Sequence, residues 1–324
     1  MNNVKQEQLP LGIHHVTAIT SDVVKNYEFF TNILGMRLLK KSVNQDDIHT
    51  YHTYYGDDEG TPGTAMTFFD FPNIPKGIKG NNAITRTSFR VPNDASLVYY
   101  KKRFEEFGVT HGEITEEFGV KVLHFSDFDD QNYQLISDEN NHGMRPGIPW
   151  KKGPVPTEFA IYGLGPVEIT ISYFKDFKEI FEALFTFKEI AQEGNRYLLE
   201  VSEGGNGAQV ILVEDKETPN GREGYGEVHH FALRLKDTEA IYAWKEQLDR
   251  AGFGNSGHVE RFYFESLYVR IGHVLVEFAT DAPGFMADEP YETLGESLAL
   301  PPFLEPNRAY IESQVKPFNT KREA

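Results

Sequence analysis

Four short strand-like runs recur along the chain, and each opens a segment of the same plan. They are GIHHVTAIT from Gly12, AITRTSFRV from Ala83, PVEITISYF from Pro166 and EVHHFALRL from Glu227. A helical pattern follows each one. In the first segment Val24, Tyr27, Phe30, Ile33 and Leu34 fall at helical spacing between Ser21 and Gly35, with Ser21 or Asp22 as the cap and Gly35 as the stop. ASLVYYKKRFEEFG, FKDFKEIFEALFTF and TEAIYAWKEQLDRAG fill the same role later. Shorter alternating runs separated by turn residues come next, as in RYLLEVS and GAQVILVE, and these read as hairpins. The repeating unit is therefore βαβββ. Such a repeat predicts an α+β fold of four modules paired into two domains. Consecutive pairing places these at 9–145 and 157–288, joined by the Pro- and Gly-rich stretch HGMRPGIPWKKGPVPTEF, with a C-terminal tail over 289–324.

Composition narrows the partners. A formal charge of −17 opposes binding to nucleic acid or an anionic membrane, and a small neutral ligand is not repelled. The sequence holds no apolar run near the ~20 residues that cross a bilayer. Cysteine is absent, which removes disulfides, thiolate metal sites and cysteine nucleophiles and fits a reducing cytoplasm. The expected location is cytoplasmic. A homo-oligomer is compatible with the sequence.

Two of the four opening strands carry adjacent histidines, His14–His15 and His229–His230. Side chains alternate along a strand, so only one member of each pair faces a given site. In the later strand Phe231, Leu233 and Leu235 share the His229 face, which belongs to the core, and Ala232 and Arg234 share the His230 face. His15 lies with Thr17 on the more polar face of the earlier strand. His15 and His230 are thus the expected metal ligands. Glu277 is the expected third. It stands between Val276 and Phe278 in a run too apolar to bury a lone carboxylate cheaply. Two histidines and one carboxylate leave coordination positions open, the arrangement suited to non-haem Fe(II) and O2; the same ligand types accept Mn(II). Aligning GTAMTFF with GHVLVEF places Phe68 at the position of Glu277, so no second carboxylate is expected from the first repeat. Glu168, in the third repeat, reads as structural. His49 and His52 in DDIHTYHTYYG stand three apart on a strand-like run after Asp46 and Asp47, and a second metal site there is not expected.

These residues carry a resemblance. LGIHHVTAIT, YYGDDEGTPGTAMTFFDFP, QEGNRYLLE, VHHFALR, RFYFESLYVR and VEFATDAPGF together resemble the vicinal oxygen chelate superfamily, from about Leu11 to Asp288. Within that glyoxalase/bleomycin resistance-like fold the chain is most similar to dioxygenases that open hydroquinone rings. The resemblance implies Fe(II) held by His15, His230 and Glu277. It also implies catalytic roles for His14, Thr17, His229, Arg261 and Tyr268 near the substrate. A strand bulge or twist is needed for His14 and His229 to act directly. The implied substrates are a small aromatic diphenol and O2. Extradiol cleavage of a catechol and non-catalytic binding of an aromatic compound on the same scaffold remain the competing readings. Lyase or isomerase chemistry of the glyoxalase kind, which uses four protein ligands, is opposed by Phe68.

Overall fold

A computed structural model describes residues 4–322 and shows four βαβββ modules. Module 1 contains β1 (Ile13–Ile19), α1 (Val23–Glu28), β2 (Arg37–Val43), β3 (Tyr51–Gly56) and β4 (Ala65–Phe69). Module 2 contains β5 (Ala83–Val91), α2 (Asp94–Phe107), β6 (Thr110–Glu117), β7 (Val120–Ser126) and β8 (Asn132–Ser137). Module 3 contains β9 (Gly163–Ile171), α3 (Phe174–Glu179), β10 (Lys188–Glu193), β11 (Arg196–Glu200) and β12 (Gln209–Glu214). Module 4 contains β13 (Val228–Leu235), α4 (Thr238–Arg250), the two-residue β14 (Val259–Glu260), β15 (Glu265–Ile271) and β16 (Val274–Thr280).

The helix expected over Ser21–Gly35 begins where its cap predicts. The Asp22 carboxylate accepts the backbone N–H groups of Val24 and Lys25. Its second half widens into a π-helical turn, Phe29–Ile33, and Gly35 at φ +74° ends it. Module 3 repeats the device over Ile180–Leu184. The hydrophobic spacing is satisfied by either winding, which is why the pattern alone did not distinguish them.

The modules pair differently from their order in the chain. One eight-stranded sheet runs β14-β15-β16-β13-β1-β4-β3-β2, and the other runs β10-β11-β12-β9-β5-β8-β7-β6. Module 1 therefore shares a sheet with module 4, and module 2 with module 3. The continuous sheets cross the division into 9–145 and 157–288. In each sheet the opening strands of two modules meet antiparallel at the centre, β1 against β13 and β5 against β9. Each module joins its partner through the free edge of its first strand, whose other edge pairs with the module's last strand.

The largest apolar cluster among the described residues lies between the sheets and their helices. Phe30 packs on Phe68, Trp244 on Phe278 and Phe89 on Tyr133. The linker is part of this packing, with Met144, Trp150 and Val155 all buried. The tail folds back over module 1. Its helix α5 (Arg308–Gln314) brings Ile311 against Val23, Val43 and Tyr51. Fully buried Lys40 reaches Asp288 and Glu289 at 2.7 and 2.6 Å.

Candidate metal centre

Register explains how two distant histidine pairs meet. Where β1 pairs with β13, Ile13 opposes Leu233 but His15 opposes Ala232, so His14 is an extra residue. Two pairs further on, Thr17 opposes His230 but Ala18 opposes Val228, which makes His229 the extra residue of β13. Each first histidine is thus the bulged member of its pair. The bulges turn adjacent rings toward each other rather than to opposite faces. The rings of His14 and His15 lie 5.1 Å apart at 81°, and those of His229 and His230 lie 5.0 Å apart at 78°.

His15, His230 and Glu277 are buried together, and one ligand atom from each lies within 4.8 Å of the others. Glu277 Oε2 is 3.1 Å from His15 Nε2 and 3.0 Å from His230 Nε2. Its other oxygen accepts the Ser266 hydroxyl at 2.5 Å. Burial works against the Glu277 carboxylate, and a net lowering of its pKa well below the usual range requires positive charge or donated hydrogens at His15 and His230. Burial also lowers His230, to about 4, and it is neutral near pH 7.

The tautomer of His15 follows from its neighbours. His14 Nε2 lies 3.1 Å from the Thr280 carbonyl, which can only accept, so this nitrogen carries a hydrogen. Burial lowers the His14 pKa to about 3, so the ring is neutral and its Nδ1 is an acceptor. His15 Nδ1, 2.8 Å away, must then donate to it, which in the neutral ring puts the lone pair on His15 Nε2. That lone pair faces an ionised, fully buried carboxylate oxygen that accepts no hydrogen bond. Two electron-rich atoms in this position call for a cation between them. Donors each about 2.1 Å from one ion and at right angles lie about 3 Å apart, the separation of Glu277 Oε2 from each histidine nitrogen. The three residues therefore fit a divalent metal.

Beside the triad lies a cavity of about 280 Å³. Phe69, Phe71, Phe264 and Leu275 form apolar walls, and His229, Arg261, Tyr268, His52 and Tyr54 add polar groups. Arg261 Nε donates to the Tyr268 hydroxyl at 3.3 Å, and its terminal nitrogen meets Asp46 at 2.9 Å. The structure thus brings His229, Arg261 and Tyr268 to the cavity. It places His14 behind His15, and Thr17 one layer deeper, where its hydroxyl meets Thr67 at 2.8 Å. Neither His14 nor Thr17 lines the cavity.

The register also corrects the alignment of the first module. β4 sets Thr67 beside Thr17, and β16 sets Glu277 beside Ala232, two residues beyond the ligand histidine in each case. Thr67 is therefore the counterpart of Glu277. Phe68 corresponds to Phe278 and points into the core. The consequence stands, since Thr67 supplies no carboxylate. His52 and Tyr54 are among the cavity residues that sequence reasoning missed. His49 lies exposed on the turn with Asp47, whereas β3 begins at Tyr51 and turns His52 inward.

The second sheet holds ion pairs at the corresponding place. Arg86 follows the same bulge in β5 that His15 follows in β1, and Glu168 accepts from Arg86 and Arg196 at 3.1 and 2.9 Å. Among the described residues, His15, His230 and Glu277 form the one cluster of metal-ligating type.

Known proteins resemble this chain over most of its length. Residues 12–135 match the Glyoxalase/Bleomycin resistance protein/Dioxygenase superfamily. The chain is 44% identical over 312 residues to a Bacillus subtilis protein named "Putative ring-cleaving dioxygenase MhqA", covering 94% of this chain and 98% of that one. The chain belongs to this superfamily. A further superfamily relative, the chlorohydroquinone/hydroquinone 1,2-dioxygenase of Sphingobium indicum, is 30% identical, with 91% of this chain and 92% of that one covered. A solved Bacillus subtilis structure titled "putative dioxygenase" is 33% identical, with a TM-score of 0.89 over 97% of this chain and 99% of that one. Glyoxalase I from Zea mays shares the fold at a TM-score of 0.58 and 13% identity, covering 83% of this chain and 92% of that one.

Proposed function

We propose that the protein is an Fe(II)-dependent dioxygenase that opens a hydroquinone-type ring with O2. The observation that carries this reading is the buried triad of two histidines and one carboxylate at the side of an aromatic-walled cavity. Its relatives bear ring-cleaving dioxygenase names, one of them naming hydroquinone. His15, His230 and Glu277 would hold the metal. Bound Fe(II) would lower the pKa of a phenol oxygen and provide the electron path from the ring to O2.

The chain's own groups do the rest. Phe264, whose ring lies 5.2 Å from His15, and Phe69 exclude water from the triad. The cavity is at the small end of ligand sites, which suits one substituted ring. Arg261 can only donate, so its bond to the Tyr268 oxygen leaves the tyrosine hydrogen for a ligand. Burial raises the Tyr268 pKa, which keeps that hydrogen in place near pH 7. His229, beside ligand His230 and open to the cavity, is placed to take or give a proton at the substrate. His14 fixes the tautomer of His15, and Thr17 acts through Thr67.

No helix among the described residues is long and apolar enough to cross a membrane, and we take the enzyme to act in the cytoplasm. The test is anaerobic reconstitution with Fe(II), addition of methylhydroquinone or catechol, and admission of air. O2 uptake with a ring-opened chromophore from methylhydroquinone is expected. Uptake with catechol alone would transfer the reading to extradiol cleavage. No uptake with any diphenol would remove it.

A further inference from the structure

In module 1 a continuous chain of side-chain hydrogen bonds ends at the cavity. Thr17 Oγ1 lies 2.8 Å from Thr67 Oγ1, which lies 2.9 Å from His52 Nε2. His52 Nδ1 lies 2.7 Å from the Tyr54 hydroxyl. Burial holds the His52 pKa well below its usual value, so the ring is neutral, with one donor nitrogen and one acceptor.

The chain has two possible directions. If it ran from Tyr54, the hydroxyl hydrogen of Thr17 would come last. Thr17 is fully buried and has no other hydrogen-bond partner among the described residues, so that hydrogen would be stranded. If it runs from Thr17, every donor up to the Tyr54 oxygen is answered. Thr17 donates to Thr67, Thr67 donates to His52 Nε2, and His52 Nδ1–H donates to the Tyr54 oxygen. The Tyr54 hydrogen is then left over, and Tyr54 lines the cavity.

Module symmetry gives this tyrosine a counterpart. Tyr54 opposes Thr67 across β3 and β4, as Tyr268 opposes Glu277 across β15 and β16. The two modules therefore deliver one tyrosine hydroxyl each, and both have their oxygens occupied by a protein donor. On the Tyr268 side the triad has its carboxylate. On the Tyr54 side Thr67 carries no carboxylate, so this is the side left for a ligand oxygen.

We propose that Tyr54 is a specificity-determining residue that donates a hydrogen bond to an oxygen of the bound ring and favours its phenolate form, with Thr17, Thr67 and His52 as positioning residues that set the direction of that bond. The assignment rests on the proposed function, in which the cavity binds a phenolic ring.

The test is spectrophotometric titration of the anaerobic Fe(II)-loaded protein with 4-nitrophenol, whose phenolate absorbs where the phenol does not. Metal content is measured alongside. Tyr54→Phe is expected to keep the metal, to weaken binding at least about tenfold, and to leave more of the bound ligand protonated at the same pH. His52→Leu is expected to show the same signature, because nothing then directs the Tyr54 hydrogen. His52→Gln, whose amide both accepts and donates, is expected to restore much of it. Unchanged affinity and unchanged phenolate absorbance in Tyr54→Phe would overturn the assignment. If wild-type protein takes up O2 with methylhydroquinone while that variant binds normally, only this assignment fails. If wild-type protein neither binds 4-nitrophenol nor takes up O2 with any diphenol, the functional reading fails with it.

Discussion

Thr67 holds in the first module the place that Glu277 holds in the fourth. Each lies on its module's last strand, beside the residue two beyond the ligand histidine. The asymmetry of the site comes down to these two side chains. Restoring the symmetry should abolish the open side of the triad. Thr67→Glu is expected to retain metal while losing ring cleavage by more than about 100-fold, the scale on which changes around a metal site act. Metal analysis and O2 uptake on the same sample check this. Full activity in the metal-loaded variant would show that Thr67 does not border the ligand position.

Glu277→Ala removes a buried carboxylate whose Oε2 accepts no hydrogen bond. Addition of Fe(II) should raise the wild-type melting temperature and leave that of the variant unchanged, since only a ligand bound by the native state stabilises it. Full iron occupancy in the variant would show that another group is the third ligand.

His14→Phe tests the tautomer argument. The ring keeps its volume against Phe264, 5.4 Å away, but no longer accepts the His15 Nδ1–H. Metal affinity is expected to fall about 10–100-fold, as for other partners that orient a ligand histidine. Measured metal dissociation constants equal to those of wild type would mean that His15 chooses its tautomer without help.

Much of this centre was legible because it depends on local rules. The repeated His-His pair points to the two strands, and the cost of an isolated carboxylate among Val276 and Phe278 singles out Glu277, although bulges rather than simple alternation orient the four rings. Two features were not legible. Nothing in a βαβββ repeat says which copy its first strand will join, so the pairing of module 1 with module 4 appears only in the register of β1 against β13. The glycine-anchored alignment slipped by one residue, which exchanged core-facing Phe68 for site-facing Thr67. The His49–His52 spacing misled for a related reason. A turn held by Asp47 separates them, so the two never share a strand.

The Arg261–Asp46 pair joins module 4 to the loop between β2 and β3 beside the cavity. Asp46 is largely exposed, so the pair contributes at most about 1 kcal/mol to stability. Its expected effect is on substrate binding, through the hold of Arg261 on Tyr268. Asp46→Ala should raise KM up to about fivefold with little change in kcat, and it should remove the part of the wild-type KM that rises with salt. A fall in kcat with KM unchanged would show that Asp46 acts on the chemical step instead.

Asp127 makes a stability prediction away from the metal centre. Burial raises its pKa from 3.8 to about 7, against the lowering effect of the Gln131 and Asp129 backbone N–H groups. Its Oδ1 accepts both of those groups at 3.0 and 2.9 Å, and its Oδ2 meets the Tyr133 hydroxyl at 3.1 Å. Between pH 4 and 7 the unfolded chain has lost this proton and the folded chain keeps it. The native state then binds more protons, so this group's contribution to stability falls as pH rises through that window. Asp127→Asn keeps the two backbone bonds, imitates the protonated form and cannot ionise. It should match wild type near pH 4 and exceed it above pH 7. The excess should be on the order of a few kcal/mol, since each tenfold difference in proton affinity between the folded and unfolded chains is worth about 1.4 kcal/mol. Denaturant unfolding of both proteins at pH 4.5 and 8 measures the difference. A gap that does not widen with pH would place the Asp127 pKa in the ordinary carboxylate range.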